Sequence, residues 1–138
     1  MSDKPLYILL VSGEREKLQM AAMTASVAAV SDRPTEVFVS MNAILSFKRG
    51  LPPEERYPEG GGFFAAQFAK ASAKGGTPDA VDLLAQGRML GGVKVWACAM
   101  VLDMLGWEDD DLTEDLFDGR LGLTKFLADA ESGDLVSF

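Results

Sequence analysis

Three short apolar runs, each followed by a helix-like stretch, constrain this chain more than any other feature. "PLYILLVS" (5–12), "TEVFVS" (35–40) and "VKVWA" (93–97) are rich in branched and aromatic residues. The first shows no polar alternation, which suits a strand buried on both faces. After it, "GEREKLQMAAMTASVAAVS" predicts a helix from about Glu14 to Val30. Glu14 and Glu16 lie in its first turn, where acids suit the positive end of the helix dipole. Met20, Met23 and Val27 share one face, and Ala21, Ala25, Ala28 and Ala29 keep the rest slim. Strands alternating with helices predict an α/β fold. The expected form is three layers: an open, mostly parallel sheet of about five strands with helices on both faces, flavodoxin-like or Rossmann-like.

The other elements follow the same rhythm. A short helix is expected over Asn42–Lys48, ended by Gly50. Residues 51–62, "LPPEERYPEGGG", carry three prolines and three glycines and predict an irregular segment. "FFAAQFAKASAK" predicts a helix with Phe63, Phe64 and Phe68 on its apolar edge. Thr77-Pro78 predicts the next helix start, with a capping hydroxyl and a first-turn proline. That helix is expected to stop at Gly91-Gly92. A helix from about Cys98 to Leu105 follows the third strand. "EDDD" (108–111) opens a second irregular stretch, and "LTEDLF" reads as one helical turn. "LTKFLADAES" predicts a helix capped by Gly133, and "DLVSF" a terminal strand.

At 138 residues the chain reads as one domain, 1–138. Its net charge of −8 disfavours nucleic acid and anionic membrane surfaces, because phosphate binding needs clustered Lys and Arg. No signal-like N-terminal pattern and no long apolar run is visible, so a cytoplasmic setting is expected and no membrane. One cysteine cannot form an intrachain disulfide. The absence of histidine removes Ser-His-Asp and Cys-His triads and the commonest zinc ligand. No metal site and no cofactor is expected. The acidic run lacks the alternating ligands and central glycine of a calcium loop, and "SGEREK" is neither a Walker loop nor GxGxxG. Glu14 and Glu16 would repel a phosphate there.

In parallel α/β folds, ligands gather at the carboxyl ends of the strands. Three such ends are legible: Ser12-Gly13-Glu14, Ser40-Met41-Asn42 and Ala97-Cys98-Ala99. The first two triplets are expected to line a pocket, with Ser40 or Asn42 also able to cap the helix that follows. Cys98 is the candidate catalytic residue. At a strand-to-helix junction its sulfur meets backbone N–H donors that favour thiolate, the nucleophilic form. The alternative is a small buried residue filling the core. The slim Ala faces, the methionines and the phenylalanines leave apolar surface that suggests an oligomer.

The whole-chain order of these stretches resembles the DsrE/DsrF-like family, which includes sulfur-relay proteins. "LYILLVSGEREKLQMAAMTASVAAVSD" resembles its first strand and helix, and "VFVSMNAILSFKRG" its second pair. "GVKVWACAMVLDMLGW" resembles the strand that delivers the family cysteine, with the helix after it. "LGLTKFLADAESGDLVSF" resembles the C-terminal helix and strand. The resemblance, closest to the stand-alone DsrE-like proteins, implies a flavodoxin-like fold and a dimer, trimer or hexamer. It further implies a sulfurtransferase role, with Cys98 accepting sulfur as a persulfide from a donor and passing it to an acceptor thiol, either of which can be a protein. The alternative is a non-enzymatic oligomeric module that binds a ligand or protein and uses Cys98 only for packing.

Overall fold

In the computed structural model the apolar runs become three adjacent strands: β1 (Leu6–Leu10), β2 (Thr35–Val39) and β3 (Val93–Cys98). Residues 3–57, 62–75 and 78–138 are described. Two further strands, β4 (Gly119–Leu121) and β5 (Asp134–Ser137), complete a five-stranded sheet of order β4-β3-β2-β1-β5. Every pairing is parallel. The helices are α1 (Arg15–Val30), α2 (Gly62–Ala73), α3 (Ala80–Leu90), α4 (Ala99–Leu105) and α5 (Leu123–Ala130).

Strand alternation sorts the core into two faces. On one face Ile8, Val37 and Val95 stand in register, and beside them Leu10, Val39 and Ala97. All six are completely buried. This face carries α1, whose buried Ala21, Ala22, Ala25 and Ala28 allow close approach, and α3, whose Gly87 lies against Val93. On the opposite face Leu9, Phe38 and Trp96 stand in register. There Phe126 of α5 stacks on Phe38 at 5.0 Å and meets Tyr7 edge-on at 5.6 Å. Burying such a ring contributes about 2–3 kcal/mol. The Trp96 indole donates to Glu36 Oε1 at 2.8 Å on this second face. Helices thus cover both sides, which makes the three-layer α/β architecture expected from the sequence.

Several local expectations need correction. The segment after β2 is a 3-10 helix, Met41–Phe47, and the Ser40 hydroxyl makes no cap bond to it. Thr77 lies outside the described residues. The cap of α3 is Asp79, whose Oδ1 accepts from Asp82 N at 2.9 Å. A carboxylate two residues further on does what a hydroxyl was expected to do. "LTEDLF" forms no helix; the helical turn is in the acidic run itself, a 3-10 turn over Asp109–Asp111. Asp109 there accepts from Arg120 of β4, which also reaches Asp103 and the Trp107 carbonyl. Of the acidic run, Asp109 is thus paired from within the chain, while Asp111 accepts from the Glu108 amide. Gly133 is no left-handed cap. A Cβ there would overlap the Pro5 carbonyl, so only glycine lets α5 turn into β5 beside β1.

Large apolar side chains remain outside. Met20, Met23, Val27 and Val30 on α1 are exposed, as are Met89 and Leu90 on α3 and Met100 and Met104 on α4. Among the described residues, no helix is long and apolar enough to cross a membrane.

Candidate functional site

Two strand ends build a cleft. Past β1, the amides of Val11 and Ser12 both donate to the Phe138 carbonyl, at 2.9 and 3.2 Å. Ser12 Oγ then accepts from Glu14 N at 3.1 Å, which folds the chain into α1. Past β2, Ser40 stays extended and donates to Leu10 O at 2.9 Å. Met41 follows with φ of 51°, a left-handed conformation that costs a non-glycine residue about 1 kcal/mol or more. Ala43 N reaches Val11 O at 3.2 Å and ties the second turn to the first. Gly13 makes the contact fit, because a Cβ there would lie 3.1 Å from the Asn42 carbonyl oxygen.

Between these turns lies a cleft of about 760 Å³. Ser12, Gly13, Glu14, Met41 and Asn42 line it, with Val11, Leu45 and Ser46. Its remaining wall is Glu55, Arg56 and Tyr57 from the proline-rich segment. That wall is fastened at two points. Arg56 Nη1 binds the buried Asp79 carboxylate at 2.7 Å, lies 3.7 Å from Asp82, and its Nε donates to Leu51 O. The Arg15 guanidinium sits 4.4 Å from the Tyr57 ring centre and 4.7 Å from that of Phe68, a cation between two aromatic faces.

Burial, and then the charge of nearby Asp79, push the Tyr57 phenol above the ordinary tyrosine range. Its Oη is buried and meets no partner at hydrogen-bonding geometry. Burial and Asp79 likewise raise the Asp82 carboxyl, while Arg56 opposes them. The Arg15 Nε is likewise buried without a hydrogen-bond partner, and Ser46 is 2% exposed.

The sequence-selected residues do not all meet. Five line the cleft together; Ser40 is buried and does not. Cys98 also stands outside the lining. It is a free thiol at the end of β3, 6% exposed, paired with Leu121 of β4. The register Val39–Ala97 puts Ser40 and Cys98 at the same level of the sheet, with Cys98 on the strand next to the two whose ends build the cleft. Sequence reasoning missed Val11, Leu45, Ser46, Glu55, Arg56 and Tyr57. Ser46 was within reach, because it lies four residues after Asn42 on a helical stretch. Glu55–Tyr57 carry no local signal, since a long-range ion pair brings them in. Among the described residues, no three His, Cys, Asp or Glu side chains are arranged to hold a metal ion.

No protein-family model matches the chain. It is 26% identical to the uncharacterized protein YrkE of Bacillus subtilis, over an alignment of 164 positions covering 98% of this chain and 96% of YrkE. Its fold is similar to the solved structure of MTH1491, a protein of unknown function from Methanobacterium thermoautotrophicum. The TM-score is 0.59 at 12% identity, over 99% of this chain and 100% of that one. The architecture is thus shared over the full length of both chains.

Proposed function

We propose that this chain is a sulfur carrier of the DsrE-like kind that holds sulfur on Cys98. The observation that carries the reading is the placement of the chain's sole thiol. Cys98 ends a buried parallel strand at the edge where α/β folds gather their chemistry, and it opens α4 with no side chain capping the first turn. The resemblance of "GVKVWACAMVLDMLGW" to the family's cysteine segment supports the same role. In the exchange, the Cys98 thiolate attacks the terminal sulfur of a donor persulfide. The new S–S bond leaves Cys98 as persulfide and releases the donor as thiolate. An acceptor thiolate then attacks the terminal sulfur of that persulfide, takes it, and restores the Cys98 thiolate. No external oxidant or reductant is needed. At 6% exposure, the thiol requires a donor that projects its sulfur into the β3–α4 corner, or an opening of that corner. A reducing, cytoplasmic setting suits a lone free thiol.

Incubation with a small persulfide donor, followed by intact mass, tests the reading. Wild type is expected to gain one sulfur, and Cys98→Ser none. Equal gain by both, or gain by neither, ends it.

The burial of Cys98 and its absence from the cleft favour a second reading. In it the chain is a non-enzymatic oligomeric binding module, Cys98 fills the core, and the cleft takes the ligand. Under this reading, iodoacetamide alkylates the folded protein far more slowly than the unfolded one, and Cys98→Ala leaves ligand binding unchanged.

A further inference from the structure

The far side of the cleft wall holds a cation that the sulfur-carrier reading does not use. Arg33, Arg49, Arg56, Arg88 and Arg120 each pair with a carboxylate. Arg15 pairs with none among the described residues. Its guanidinium lies instead between the Tyr57 and Phe68 rings, 4.4 and 4.7 Å from their centres. Aromatic rings so placed cover the flat faces of a guanidinium and leave its N–H edge for an acceptor in the same plane. The Arg15 Nε is buried and has no such acceptor.

Tyr57 gives a second sign. Its Oη is also buried and unbonded, and among the described residues no other buried side-chain polar atom besides Arg15 Nε is left so. Buried polar groups are almost always hydrogen-bonded. Two orphaned donors on side chains stacked against each other therefore call for one shared acceptor. The nearby carboxylates do not supply it. Asp79 holds Arg56 and the Asp82 amide, and Glu14 and Glu55 line the cleft without pairing with Arg15. Tyr57 itself is part of the cleft lining, so the cleft leads to the stack.

Charge and lining narrow the ligand. Arg15 balances one negative charge. A second would meet Glu14 and Glu55 on the lining, and Asp79, whose charge is felt at Tyr57. A planar carboxylate matches the guanidinium fork and offers two oxygens to two donors. Val11, Met41 and Leu45 give a hydrocarbon body an apolar wall.

We propose that Arg15 and Tyr57 anchor a small organic monocarboxylate whose body lies in the cleft. One oxygen accepts from the Arg15 guanidinium and the other from the Tyr57 hydroxyl. The inference is independent of Cys98 and stands whether or not that thiol carries sulfur.

NMR tests it on the wild-type chain at fixed pH and ionic strength, with butyrate, benzoate and inorganic phosphate as probes. The reporters are the Nε–Hε signal of Arg15, identified by its loss in Arg15→Lys, and the amides of Met41 and Leu45. Butyrate and benzoate are expected to shift all three reporters saturably, and phosphate to bind about tenfold more weakly. Both carboxylates are expected to bind Arg15→Lys and Tyr57→Phe about tenfold more weakly, read from the two amides. Unchanged shifts elsewhere show that the variants are folded. If neither carboxylate shifts the Arg15 signal up to its solubility, if phosphate binds as tightly, or if Tyr57→Phe binds as wild type does, the proposal is wrong.

Discussion

Single residues set hard limits in this fold. Gly133 has no alternative, because any Cβ would enter the Pro5 carbonyl while Asp134 N is bonding to that same oxygen at 3.0 Å. Gly133→Ala is expected to cost at least about 2 kcal/mol in urea unfolding, since either α5 or β5 must shift. Tyr57 answers to pH. Burial and Asp79 keep its phenol protonated in the folded chain beyond the ordinary value of 10.0. The unfolded chain then releases that proton first, so stability falls as pH rises through ~10, by up to about 1.4 kcal/mol per unit. Unfolding curves between pH ~8 and ~11 should show this decline in wild type, and a smaller one in Tyr57→Phe.

At the level of elements, Asp79 joins two pieces of structure. It caps α3, and it anchors the cleft wall through Arg56. Asp79→Ala removes both and leaves Arg56, 16% exposed, with only the longer contact to Asp82 and the Leu51 carbonyl, for an expected loss of about 3 kcal/mol. Asp79→Asn retains a good cap and should lose about half as much in the same denaturation assay. The elements differ in how readable they are. β1, β2 and β3 are plain in the sequence because burial on both faces demands unbroken apolar runs. β4, "GRL", carries no strand signal in the sequence: its three residues are half-exposed, and pairing with β3 together with the bonds of its own Arg120 to Asp109, Asp103 and the Trp107 carbonyl hold it. The strand-end turns at 12–14 and 40–42 were legible because parallel topology fixes where strand ends point. The wall at 55–57 was not, because its partner Asp79 lies 23 residues away from Arg56. Nor could spacing alone show that Ser40 and Cys98 are buried outside the cleft lining.

For the molecule as a whole, the acidic surface and the apolar ridges pull in opposite directions. Val30, Met89 and Leu90 are each more than 80% exposed, on helices that pack against one another over the same sheet face. Such side chains side by side suit a subunit contact. Sedimentation equilibrium is expected to give a multiple of the chain mass, and a Val30→Glu, Leu90→Glu double variant to give the monomer. A monomer for wild type would remove the oligomer from the proposed function. The Trp96–Glu36 pair offers a way to watch the chain at work without labels. Trp96 precedes Cys98 by two residues on β3, and its indole leans on a carboxylate through one hydrogen bond. An indole so held changes its emission when its surroundings change. With Trp107 replaced by Phe, fluorescence would come from Trp96 alone, an optical gauge beside the chain's sole sulfhydryl.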